Sequence, residues 1–338
     1  MKLNQHPFLL LGVILITASL ASILVGSVSI PIRSTWQVLG SLLNTNQLAN
    51  ETHAAILLDL RLPRTLLMLL VGAALAGSGC AYQGLFRNPL ADPYLIGAAS
   101  GAGLGAVIAI TIHWPGNLLG YLGVPLAAFI GSALTVGLVM RLASVGRDTP
   151  ITTLILAGVA VSSFATAITS MLLINASGEL RRALVWLVGG STMSGWFPVA
   201  AASPYILIGL AALLTTGHQL NVLQFGEEQA QQLGVPVKRV RILVVLAATL
   251  ATAAAVAFSG IIGFVGLIIP HILRRIWGTD HRILLPLSML GGAAFLLSAD
   301  ITARSLLAPQ EIPVGILTAL TGAPFFLFLL QKSRYPKE

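Results

Sequence analysis

Between Asp92 and Arg141 the chain carries no charged residue. A stretch of that length has no polar face to turn toward water, so it needs an apolar medium around it rather than a core beneath it. A bilayer core of about 30 Å is crossed by roughly 20 apolar residues, and this stretch is long enough for two crossings. The same pattern recurs at residues 3–32 and at Thr65–Phe86, both uncharged. Of the 338 residues, 56% are hydrophobic and 9% charged, against about 25% charged in ordinary soluble domains. The mean hydropathy is +0.90. These figures identify an all-α polytopic membrane protein.

The apolar runs divide into spans at about 8–30, 65–86, 94–112, 121–140, 150–174, 196–216, 242–258, 262–273, 283–299 and 313–330. The Trp114-Pro115-Gly116-Asn117 turn separates the third from the fourth. A short outer helix is expected around Leu180–Val188. The run Phe8–Ile30 exceeds a signal-peptide core of roughly 7–15 residues and is read as the first span. Nothing suggests a second domain, so residues 1–338 are read as one transmembrane unit.

The topology turns on Ile242–Leu273. As one helix it would be about 48 Å long at 1.5 Å per residue, too long for one crossing and short for two. Ser259-Gly260 and Gly263 interrupt it. Charge separates the alternatives. With ten passes, 13 of the 19 Lys+Arg lie inside and six outside; with nine, eight lie inside and 11 outside. The positive-inside rule favours ten passes with both termini cytoplasmic. The six outside positions are Arg33, Arg61, Arg64, Arg181, Arg182 and Arg304.

Several function classes are excluded. The formal charge of +8 follows from cationic loops, and no basic patch is interleaved with aromatics, so nucleic acid is not a partner. A phosphate-cradling Walker A loop is missing. The histidines at 6, 53, 113, 218, 271 and 281 have no ligand spacing, so neither metal nor cofactor is expected in this chain. No triad-like arrangement implies catalysis. The acidic residues fall at span ends or loops, which argues against an ion-coupled secondary carrier. His271 is read as a helix-end histidine beside Arg274 and Arg275, and Cys80 as a small packing residue.

Two charged surfaces remain. All six outside basic residues are arginine, which suits bidentate pairing with carboxylates, although composition alone slightly favours Arg61 and Arg64 snorkelling at a helix start. On the inside, Asn221–Arg241 is the longest polar stretch. Within it, Glu227–Leu233 can form a short amphipathic helix, opened by Gly226 and closed by Gly234 before Pro236. Phe225, Ala230 and Leu233 are expected roughly on one face, a surface suited to a cytoplasmic partner.

The motifs RLPRTLLMLLVGAALAGSG (61–79) and NPLADPYLIGAASGAGLGA (88–106) resemble those of the membrane permeases of iron-siderophore, haem and cobalamin ABC importers. So do LILAGVAVS (154–162), WLVGGS (186–191), GEEQAQQLGV (226–235), GIIGFVGLIIPHILRRIWGTDHRILLP (260–286) and EIPVGILTALTGAPFFLFLL (311–330). The resemblance covers nearly the whole chain. It implies a cobalamin-permease-like fold of ten transmembrane helices per subunit, with the pathway at a homodimer axis in the inner membrane. Two ATP-binding subunits would sit on the cytoplasmic face and hold ATP and Mg. A periplasmic substrate-binding protein would dock outside.

By the same resemblance, Arg61, Arg64 and Arg304 look like docking arginines. Gly226, Glu227, Glu228, Ala230, Leu233 and Gly234 look like the segment that couples to the ATPase. Asn88, Pro89 and Leu90 match one part of the cytoplasmic gate and Ile151 and Thr152 the other, where the cobalamin permease carries a Thr-Ser pair. The expected cargo is a ferric siderophore, with haem, cobalamin or molybdate as alternatives, passing through a cavity lined by small and apolar groups.

Overall fold

The computed structural model describes residues 6–28, 30–41, 51–112, 120–144, 150–176, 178–190 and 194–334. The expected turn at 114–117 and the basic residues Lys2, Arg147 and Lys337 lie outside them. The described elements are helices. In chain order they are α1 (Pro7–Leu24), α2 (Ile32–Ser41), α3 (Glu51–Ala55), α4 (Leu62–Leu85), α5 (Ala98–Thr111), α6 (Gly120–Ala143), α7 (Ile151–Asn175) and α8 (Leu180–Leu187). There follow α9 (Trp196–Leu214), α10 (Gly217–Leu223), α11 (Glu227–Gln232), α12 (Val237–Ser259), α13 (Val265–Trp277), α14 (His281–Ser305) and α15 (Val314–Arg334).

Among the described residues, seven helical stretches are long and apolar enough to cross a bilayer: α1, Glu51–Leu85, Leu122–Ala143, α7, α9, α12 and α14. The shorter α5 and α13, with the apolar stretch Val314–Phe328 of α15, complete a ten-helix arrangement. The protein is an all-α polytopic membrane protein.

Helix α4 is the centre of the bundle and packs on α9, α12, α13 and α14. Its register with α14 is antiparallel: a Cβ at Gly72 would lie 2.3 Å from the carbonyl oxygen of Gly292, and one at Gly84 would lie 2.6 Å from His281 Nε2. Only glycine lets the two backbones approach this closely. Helix α12 is also antiparallel to α4, since Ser78 Oγ donates to Ala248 O and Tyr82 OH to Val245 O. With α12 and α14 both antiparallel to α4, the chain must turn back between them. Gly260 at φ 76° and Phe264 at φ 69° break the helix, and α13 makes the return. That answers the question posed by the 242–273 run.

Of the boundaries that differ from the sequence reading, three have a local reason. Helix α1 stops at Leu24 because the Arg61 guanidinium takes the carbonyls of Ile23, Leu24 and Val28. Helix α4 is preceded by continuous helix from Glu51, through a π-helical stretch at Ile56–Arg61. Pro63 has no N–H to continue the α ladder; Leu62 N bonds Leu57 O, and Trp196 Nε1 takes the carbonyl of Leu58 at 3.1 Å. Helix α5 begins only at Ala98, because residues 86–97 form a turned corner. There Asn88 Oδ1 accepts from Leu90 N at 2.9 Å and Asp92 Oδ1 from Tyr94 N at 2.8 Å. At about 21 Å, α5 is shorter than a bilayer core.

Candidate functional site

At one end of the bundle meet the C-termini of α1 and α14 and the N-termini of α4 and α15. They surround a cavity of about 510 Å3 lined by Arg61, Arg64, Arg304, Asp300 and Glu311, among others. Asp300, fully buried on α14, serves two arginines. Its Oδ1 accepts from Arg64 Nε at 3.1 Å and Nη2 at 2.8 Å, and its Oδ2 lies 2.9 Å from Arg304 Nε. The Arg304 N–H is not aligned on that oxygen, so this contact is an ion pair rather than a directed hydrogen bond. Arg304 Nη2 instead donates to Ser22 Oγ at 2.9 Å. Arg64 also pairs with Glu311 at 2.6 Å, and Arg64 and Asp300 together hold the Glu311 loop to α4 and α14.

The three expected docking arginines are thus brought together but differ in access. Arg61 and Arg304 are turned inward, 5% and 3% exposed. The Arg64 side chain is 35% exposed. Sequence reasoning overlooked the two carboxylates that organise them. It placed Asp300 at a span end, whereas α14 continues to Ser305; the signal was the four-residue spacing Asp300–Arg304, one helical turn.

At the other end lie the remaining expected residues. Helix α11 is opened by Gly226 at φ 114° and followed by Gly234 at φ 81°, backbone conformations that side chains with a Cβ rarely adopt. Glu227 pairs with Arg241 of α12 at 2.5 Å. Ala230 is fully buried, but Phe225 and Leu233 are 70% and 67% exposed. The three do not share a buried face: Ala230 seats the segment, and the two large apolar side chains point away. Glu228 is exposed beside them.

The corner Asn88-Pro89-Leu90 lies at this same end, directly after α4, with Asn88 and Pro89 exposed and Leu90 half-buried. Arg87 holds φ 51°, a costly conformation for a residue with a side chain. Ile151 and Thr152 open α7, half-buried and exposed. Helix α7 runs along the far part of the corner: a Cβ at Gly158 would lie 2.3 Å from Leu95 O.

A second cavity, of about 690 Å3, is lined by Asp92, Tyr94 and Leu95 on the corner and by Val159, Ser162, Ser163, Thr166, Ala167 and Ser170 on α7. At 100° per residue, Thr152, Ser162, Ser163, Thr166 and Ser170 share one arc of the helix. Leu156, Phe164, Met171 and Ile174 occupy the neighbouring exposed arc. The lining here is richer in hydroxyls than the expected small and apolar one. Among the described residues, no group of His, Cys, Asp or Glu could hold a metal ion.

Comparison with known proteins agrees with this architecture. The FecCD transport family matches residues 14–332. The cobalamin import permease BtuC of Halobacterium salinarum is 49% identical over 281 residues, 83% of this chain and 74% of its own. The hemin transport permease HmuU of Yersinia pestis is 40% identical over 335 residues, 97% of each. A solved structure of a metal-chelate type ABC transporter in an inward-facing conformation superposes with a TM-score of 0.82 at 34% identity, over 97% of this chain and 99% of its own. This chain belongs to the FecCD transport family and is a permease subunit of an ABC importer.

Proposed function

We propose that the chain forms, with a second copy of itself, the membrane pathway of an ATP-driven importer for a bulky metal chelate. The observation that carries this reading is the ordered segment Gly226–Gly234, with Phe225 and Leu233 bare at the end that also holds the 88–90 corner. An ATPase dimer seated there would bind ATP and Mg, leaving this chain without cofactor or catalytic residue. Positive-inside bias supports that end as the cytoplasmic one, with both termini on that side of the inner membrane. The opposite end, around Arg64 with Arg61 and Arg304 behind it, would receive a periplasmic binding protein through carboxylates. Asn88–Leu90 and Ile151–Thr152 would close the inner exit.

Within the chelate class, a ferric siderophore is the first reading of the cargo. The identity to cobalamin and hemin permeases supports a tetrapyrrole-type chelate as the second. The hydroxyl arc on α7 suits either cargo, since both carry peripheral hydrogen-bonding groups.

The test is reconstitution of the permease with its ATPase and binding protein in liposomes. Uptake of ferric siderophore, cobalamin and haem is measured in parallel. Uptake should require ATP inside and binding protein outside and should survive ionophores. Uptake by the permease alone along an ion gradient would instead establish a secondary carrier.

A further inference from the structure

We propose that Asn221 on α10 and Gln224 at its C-terminal end are the positioning residues that pass movement of the 226–234 segment to the inner ends of α14 and α4, and through α4 to Asn88–Leu90. This rests on the reading that the segment receives an ATPase. Asn221 holds the start of α14 with both halves of its amide. Its Oδ1 accepts from His281 N at 2.7 Å and lies 3.0 Å from His281 Nδ1, while its Nδ2 donates to Asp280 Oδ1 at 2.6 Å. Gln224, one turn on, donates from Nε2 to the carbonyl of Gly84 in the last turn of α4 at 3.0 Å. The two grips meet, because the His281 ring lies against Gly84.

The linkage is stiff on both sides. Toward the partner-facing segment, Gly226 N bonds Leu223 O and Ala230 N bonds Gly226 O, so α10 and α11 adjoin without a free linker. Leu220 and Leu223 are buried and hold α10 down. Toward the membrane, α4 and α14 are locked at the Gly72–Gly292 crossing, where neither backbone can slide past the other without a clash. A displacement of α10 therefore moves the inner ends of α4 and α14 together. Three residues separate Gly84 from Asn88, within a turn whose Arg87 already holds an uncommon backbone conformation. Coupling through this linkage needs it to hold two discrete arrangements, one for each state of the ATPase.

The experiment uses the assembled importer with Cys80 replaced by alanine and a reporter Leu90→Cys. The maleimide labelling rate is compared with and without ATP. A two-state gate should change that rate by about tenfold or more. In Asn221→Leu/Gln224→Leu, ATP hydrolysis should persist while the change in labelling collapses and import falls. Gln224→Lys, which keeps a donor for Gly84 O, should retain the labelling change. Gln224→Glu alone, isosteric and at an exposed position, reads the same ratio should the double variant fail to assemble. An ATP-dependent labelling change that persists in the double variant and in Gln224→Glu would overturn the proposal alone. Absence of any ATP effect in the otherwise unsubstituted importer would overturn both it and the ATPase reading.

Discussion

Arg304 and Asp300 face each other one turn apart on α14, Nε to Oδ2 at 2.9 Å, and neither reaches solvent. The same carboxylate holds Arg64 at 2.8 Å, so one buried anion organises two cations and, through Arg64, the Glu311 loop. Removing one member of a buried ion pair leaves an uncompensated charge, at a typical cost of about 3–5 kcal/mol. Asp300→Asn should therefore lower the thermal unfolding temperature of the detergent-solubilised permease sharply. Asp300→Asn combined with Arg304→Met should recover part of the loss, and an unchanged melting temperature in the single variant would remove this network from the stability account.

On the docking proposal, Arg61, Arg64 and Arg304 should separate by function. Arg64→Glu should weaken capture of the binding protein by about tenfold or more, at least ~1.4 kcal/mol, and should also lower thermal stability, because it sets a third carboxylate beside Asp300 and Glu311. The remaining affinity should depend less on salt. Arg61→Gln and Arg304→Gln should mainly lower thermal stability, because their guanidinium groups serve α1 and α14. Equal affinities for Arg64→Glu and the parent, measured by surface binding of the purified partner, would move docking elsewhere.

The Gly72–Gly292 crossing predicts a sharp positional effect. Gly72→Ala or Gly292→Ala should cost about 1–3 kcal/mol or prevent assembly, as overpacking does. Gly137→Ala, with nothing within 4 Å of the added Cβ, should be tolerated. Yield of monodisperse protein and its melting temperature distinguish the two.

Glu227→Gln removes the 2.5 Å pair with Arg241. Since the Arg241 side chain is only 7% exposed against 35% for Glu227, the substitution weakens the pairing of a buried cation and should cost about 1–3 kcal/mol. A further loss should appear in co-purification of the ATPase and in ATP turnover of the assembled complex.

Asp280 caps α14, accepting from Arg282 N at 2.9 Å. Hydrogen bonds from Arg282 and Asn221 hold its carboxyl well below the usual carboxylate range. Because its pKa is lower folded than unfolded, its contribution is present above the unfolded value of about 3.9 and lost as pH falls below it. Asp280→Ala should thus reduce the melting temperature by the same amount across pH 5–8, consistent with about 1 kcal/mol for a lost cap. The gap to the parent should narrow only toward pH 3.

Much of this was legible before any coordinates. The motif 61–79 marked α4, and the Gly226/Gly234 bracket marked α11, because glycines at helix ends are local signals. The hydroxyl arc on α7 was also present in the spacing of Ser163, Thr166 and Ser170, yet periodicity alone does not say which arc faces a cavity. Asp300 escaped notice because a carboxylate near a helix end reads as solvated until its partners, 236 residues away at Arg64, are brought beside it.

The sequence by itself determined membrane class, helix content, the bias of charge between the two ends and the family motifs. Each follows from local composition and from the need to satisfy backbone hydrogen bonds within apolar helices. Only the tertiary structure decided that Arg61 and Arg304 turn inward while Arg64 remains accessible, and that Asn221 and Gln224 grip two helices at once, whereas the return of the chain within 242–273 already follows from the charge count. Those outcomes depend on where distant backbones approach, and glycine-scale clearances such as Gly72 against Gly292 are set by the packed whole.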